Sequence, residues 1–117
     1  IDNGNDERIS TCVENIKPYN RICLLKADGY SREAYELLIN FDIIIDDGPH
    51  TLETQLKCLE LYLPKLKSGG LLIIEDIDSI SYMEQFISKL SDEFTYSIID
   101  TATELEYNSL LFVVRRK

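Results

Sequence analysis

No apolar run in this sequence approaches the ~20 residues that a membrane-spanning helix needs, so a helical span is excluded. The first residues, Ile1-Asp2-Asn3-Gly4, lack the basic and apolar regions of a signal peptide. An initiating Met is also lacking, which leads us to expect residues upstream of Ile1. There is no internal repeat and no low-complexity stretch. Positive charge is scarce, with 12 Lys and Arg against 21 Asp and Glu and a net charge of −9. Such a surface repels phosphate backbones, so neither nucleic acid nor a membrane is expected as a partner. Basic residues cluster only at Arg115-Arg116-Lys117, which reads as a solvated terminus. The three cysteines, Cys12, Cys23 and Cys58, are odd in number and lack metal-ligand spacing. They read as buried free thiols in a reducing compartment, and the expected location is cytoplasmic.

What is present is ordinary globular composition, 44% apolar and 28% charged. The 117 residues suffice for one domain and not two. A domain of this size buries roughly 65% of the surface its unfolded chain exposes.

Two hydrophobic periods alternate along the chain. Ile9, Cys12, Val13 and Ile16 form one stripe of a helix over Asp6 to Ile16, with Pro18 just beyond. Arg21 to Ala27 reads as a strand. Ser31 is a plausible N-cap for a helix through Ile39 that carries Ala34, Leu37 and Leu38 inward. Phe41 to Ile45 is apolar on both faces, as a central parallel strand is. Thr51 caps the next helix, with Leu52, Leu56, Leu59 and Leu63 on its stripe and Pro64 and Gly69-Gly70 at its exit. Leu71 to Ile74 is a second buried strand. A helix from Ser79 carries Ile80, Met83, Phe86, Ile87 and Leu90. Phe94 to Ile99 and Leu110 to Val114 are strands too closely connected for a parallel crossover, so they pair antiparallel. The expected architecture is an α/β, Rossmann-like, mostly parallel sheet in a three-layer αβα arrangement with a C-terminal antiparallel hairpin.

Ligands of open α/β sheets sit beyond the carboxyl ends of the strands. Those ends are acidic here: Asp28-Gly29-Tyr30, then Asp46-Asp47-Gly48-Pro49-His50, then Glu75-Asp76. Adjacent tips would bring several carboxylates and the chain's one imidazole together. Carboxylates ~4 Å apart repel by several kcal/mol at a surface-like dielectric of ~20. A divalent cation removes that penalty, and oxygen ligands favour Mg²⁺ or Ca²⁺ over zinc. An imidazole, with an ordinary pKa of ~6.5, is suited to act as a general base beside it. Each residue also has a plainer reading. A lone Asp at a strand end is commonly a turn former or helix cap, and His50 alone could be a solvated surface residue. The coincidence of acidic tips on successive strands favours a site. Asp42 and Asp78 read as surface or turn residues. Asp28 would accept an adenine amine or simply form a turn, and Asp2 would accept ribose hydroxyls.

The stretch from Phe41 to Ile77, FDIIIDDGPHTLETQLKCLELYLPKLKSGGLLIIEDI, resembles class I S-adenosylmethionine-dependent methyltransferases. Within them it is most similar to metal-dependent sugar O-methyltransferases of the macrocin and mycinamicin type, a pattern shared by the cephalosporin-hydroxylase-like group. The resemblance implies S-adenosylmethionine and Mg²⁺ as cofactors. It implies Asp47, Glu75 and Asp76 as metal ligands and His50 as the base that deprotonates an acceptor hydroxyl. It places Asp28 and Tyr30 near adenine and Asp2 on the ribose, with Asp46 also on the cofactor side. The implied acceptor is a small molecule such as a sugar or glycan hydroxyl, and a homo-oligomer is compatible with this reading. The family's first strand and glycine-rich loop are absent, and no GxG occurs. Residues 1–117 are therefore expected to be the carboxyl-terminal portion of a single methyltransferase domain. The alternative is a non-catalytic remnant that binds a partner or completes a dimer.

Overall fold

The computed structural model describes residues 6–101 and 110–117. The chain divides into two compact units, Ile1–Leu38 and Ile39–Lys117.

In the first unit, helix α1 spans Asp6–Ile16, the bounds expected from its apolar stripe. Helix α2 spans Arg32–Leu37 and is capped as expected, with Ser31 Oγ accepting from the Ala34 amide at 3.1 Å. It stops two residues short of Ile39, because Leu38 adopts an extended backbone (φ −98°, ψ 143°). Leu37, expected inward, is 67% exposed. The strand expected over Arg21 to Ala27 does not form, and only Lys26 makes an isolated bridge. A strand persists through continuous ladder pairing, and the described residues of this unit contain no second strand. Cys23 is exposed and Cys12 half-buried, so only Cys58 meets the expectation of a buried thiol.

The second unit is a sheet with helices packed on one face. Its strands are β1 (Phe41–Asp46), β2 (Leu66–Ile77), β3 (Phe94–Asp100) and β4 (Leu110–Arg116), in the spatial order β1-β2-β4-β3. β1 and β2 are parallel, and β4 is antiparallel to both β2 and β3. Three of the four strands therefore run the same way, and the C-terminal hairpin is antiparallel as expected. β1, expected to be central, is at one end of this sheet and pairs with β2 alone among the described residues. Ile43 and Ile45 on its outer face are more than half exposed.

Helix α3 (Leu52–Tyr62) links β1 to β2 and tightens into a 3₁₀ turn at Leu63–Lys65, where Pro64 cannot continue an α-helix. A short 3₁₀ turn at Ile80–Tyr82 leads into α4 (Met83–Ser88). The core combines Cys58, Leu59 and Tyr62 of α3 and Met83 and Phe86 of α4 with Leu66, Leu72, Ile74 and Ile77 of β2 and Phe112 and Val114 of β4. Phe112 is sandwiched, its ring centroid 5.3 Å from that of Phe86 and 5.6 Å from that of Tyr96. The buried stripe of α3 is rotated from the leucine series Leu52, Leu56, Leu59 and Leu63. It runs through Gln55, Cys58, Leu59 and Tyr62. Ile80, expected inward, is largely exposed.

β2 is far longer than the expected Leu71 to Ile74. Its pairing begins at Phe41↔Leu66, jumps, and resumes at Ile43↔Leu71. Gly69 (φ +79°) and Gly70 absorb that jump, so the glycine pair lies inside the strand. A side chain at Gly70 would meet three backbone carbonyl oxygens, of Lys67, Asp42 and Phe41, at 2.9 to 3.2 Å. Arg116, expected in a solvated tail, closes this end by donating to the Leu66 carbonyl at 2.7 Å.

Candidate functional site

The parallel pairing of β1 and β2 runs up to Asp46↔Ile74, so their carboxyl ends emerge side by side. From β1 the chain passes through Asp47-Gly48-Pro49-His50 to the cap of α3. There Thr51 Oγ1 accepts from the Thr54 amide at 3.2 Å. From β2 it passes through Glu75 and Asp76. Among the described residues, two non-glycine residues have positive φ, His50 at 57° and Asp76 at 50°, and they lie on these two tips. Left-handed backbone costs a residue with a Cβ about 1–2 kcal/mol, and such outliers concentrate at functional sites.

The two strained residues meet. His50 Nε2 lies 3.7 Å from Asp47 Oδ1 and 3.9 Å from Asp76 Oδ2, too far for hydrogen bonds. One ligand atom from each of Asp47, His50 and Asp76 falls within 4.8 Å of the others. Oxygen ligands on opposite sides of Mg²⁺ or Ca²⁺ are roughly 4–5 Å apart, so the carboxylates of Asp47 and Asp76 could share a hard divalent cation, with the imidazole beside it. Asp47 and Asp76 are 70% and 57% exposed, and water screens their mutual repulsion. Repulsion alone therefore does not require an ion, contrary to the inference from charge in the sequence. His50 is only 34% exposed. Its Nδ1 is buried without a hydrogen-bond partner among the described residues, which leaves Nε2 as the nitrogen facing the carboxylates.

The other expected site residues are placed differently. Glu75 is outside the three-residue group. Glu75 lies in the bulge between Ile74 and Ile77 and is half-buried. Asp46 faces the helix side. Its carboxylate is hydrogen-bonded to the Cys58 thiol, which burial first, and then the negative charge of Asp46, hold well above the usual thiol range. Asp28 belongs to the first unit, where its Oδ1 accepts from the Tyr30 amide at 3.0 Å and its carbonyl from the Ser31 amide at 3.1 Å. That is the turn former of the plainer reading. Asp2 lies outside the described residues. Asp42 is at the surface, paired with Lys67 at 2.8 Å.

Gln55 was not singled out from sequence. It is 1% exposed, and its Nε2 donates to the Glu75 carbonyl at 3.2 Å. The available signal was a polar residue three after Leu52 and four before Leu59, in the middle of an apolar stripe.

No protein-family profile matches the chain, and no curated protein matches it. Solved structures do. A Streptococcus mutans protein described as a methyltransferase, solved in complex with SAH, aligns with a TM-score of 0.72 at 14% identity, over 97% of this chain and 72% of its own. A Clostridium thermocellum protein described as an rRNA-methylase gives 0.70 at 15%, over 97% and 72%. An rRNA methylase from Streptococcus thermophilus gives 0.70 at 15%, over 96% and 69%. The fold is thus the Rossmann-like α/β fold of class I methyltransferases. No described helix is long and apolar enough to cross a membrane.

Proposed function

We propose that this chain belongs to an S-adenosylmethionine-dependent O-methyltransferase that modifies a hydroxyl of a small molecule, with a sugar as the favoured acceptor class. One observation carries the reading: Asp47, His50 and Asp76 converge at the carboxyl ends of adjacent parallel strands, on a methyltransferase fold. Asp47 and Asp76, with Glu75 as the resemblance implies, would hold Mg²⁺, and the less exposed His50 stands beside them as the base. When bound, the cation lowers the pKa of an acceptor hydroxyl and orients it. His50 Nε2 takes the hydroxyl proton. The polypeptide orients the acceptor for in-line attack on the methyl carbon, and positioning supplies much of the rate.

A vicinal diol chelates a cation better than a single hydroxyl, which supports a sugar acceptor. The net charge of −9 argues against RNA as the acceptor, although two structural neighbours are described as acting on rRNA. The cofactor side of the proposal rests on Asp2, Asp28, Tyr30 and Asp46, as the family resemblance implies.

Calorimetric titration of S-adenosylhomocysteine with and without Mg²⁺ tests the reading. Binding that strengthens with Mg²⁺ is expected. A folded chain that binds neither ligand would favour a non-catalytic interaction module.

A further inference from the structure

We infer that Gln55 is a positioning residue that holds the tip of β2 in the conformation presenting Asp76 to the cluster. This inference rests on the proposed role of Asp76 as a cation ligand.

The tip of β2 is irregular, a bulge inside its ladder with β4. On one side β1 pairs no further than Asp46↔Ile74. On the other, the register with β4 shifts between Ile74 and Ile77. Glu75 and Asp76 fall in that gap. The ladder resumes at Ile77↔Leu110, so the two residues are bracketed by pairing, and within the bulge Asp76 sits at φ 50°, where glycine is the usual residue. A contact that fixes the bulge would favour that conformation.

Gln55 reaches across from α3 to do so. Its Nε2–H donates to the Glu75 carbonyl, the acceptor of the very peptide that carries the Asp76 nitrogen. Fixing that peptide plane fixes the direction from which the Asp76 Cα departs. The Gln55 backbone is itself anchored, its amide donating to the Thr51 carbonyl at 3.0 Å one turn from the cap that follows His50. One residue therefore couples the two strained tips, through the start of α3 on the His50 side and through its side chain on the Asp76 side.

The chemistry of Gln55 argues against a purely structural role. Its Oε1 is buried with no hydrogen-bond partner among the described residues. A half-satisfied amide in a core is costly, and an apolar residue of equal length would fill the same space without that cost. What the apolar residue could not do is donate to Glu75.

The test uses the full chain and two readouts, the backbone chemical shifts of Asp76 and the affinity for Mn²⁺ by calorimetry. Gln55→Met keeps the volume and removes the donor. Gln55→Asn keeps the amide and loses the reach. In both, Asp76 shifts should leave their positive-φ values and Mn²⁺ affinity should fall about tenfold or more, the usual effect of removing a group that orients a ligand. Gln55→Met should nevertheless melt no lower than the parent chain. Leu59→Val, on the same helix, should lower the melting temperature and leave Asp76 shifts and Mn²⁺ affinity within about twofold. Unchanged Asp76 shifts in Gln55→Met overturn the inference. Failure of the parent chain to bind Mn²⁺ would overturn the metal reading instead, because the shifts report the backbone without any ion.

Discussion

At its amino end β2 is tied down on every side. Arg116 donates to the Leu66 carbonyl, Ser68 Oγ donates to the Lys117 carbonyl at 3.0 Å, and Lys67 pairs with Asp42. Gly70 lies so close to three carbonyl oxygens that no side chain fits there. At its carboxyl end the same strand shifts register before pairing again at Ile77↔Leu110, carries an aspartate in a left-handed conformation, and receives a hydrogen bond from Gln55. The first end is irregular in a way that lowers free energy, because glycine accepts the bend. The second is irregular in a way that raises it, because Asp76 and His50 keep side chains where glycine would be easier. Strain of this kind concentrates at functional sites, and it falls at the end where the proposed cation would bind.

The largest effect expected from breaking this contrast is on chemistry. Under the proposed mechanism, His50→Ala should reduce methyl transfer to a diol acceptor by ~10²–10⁴. Full turnover with metal binding intact would remove His50 from the base role. At the opposite end, Gly70→Ala should lower stability by about 2 kcal/mol, read from urea unfolding, because its Cβ would overlap backbone rather than a movable side chain. Mn²⁺ affinity should not change. Asp76→Gly should raise stability by about 1 kcal/mol, by relieving the left-handed backbone, while abolishing Mn²⁺ binding. If this variant lost stability, Asp76 would be a structural residue. Lys67→Ala, which breaks a pair with partners 49% and 80% exposed, should cost no more than ~0.5 kcal/mol.

The elements of the second unit were legible because their signals are local. Apolar runs set the strands, Thr51 caps α3 as expected, Ser79 opens the turn that leads into α4, and a short connection forces the antiparallel hairpin. The Arg21 to Ala27 segment was misread because its composition suits a strand, but strand formation depends on a partner that composition does not reveal. The length of β2 was underestimated because Gly69-Gly70 reads as a turn, whereas the register jump with β1 uses it as a bulge. In the site, Asp47, His50 and Asp76 followed from adjacent strand tips. Glu75 lies outside that group, in the bulge where the strand's alternation breaks. Gln55 was hidden because its partner is a backbone carbonyl 20 residues away, and no side-chain pattern records that.

The most direct measurement exploits the chain's single histidine. The His50 ring protons give isolated signals, and Mn²⁺ bound beside them broadens those signals strongly. Broadening should occur at substoichiometric Mn²⁺, reverse with excess Mg²⁺, and vanish in Asp47→Asn and Asp76→Asn. Ring signals that stay sharp at saturating Mn²⁺, or that broaden equally in both variants, would contradict a cation site at the tips of β1 and β2.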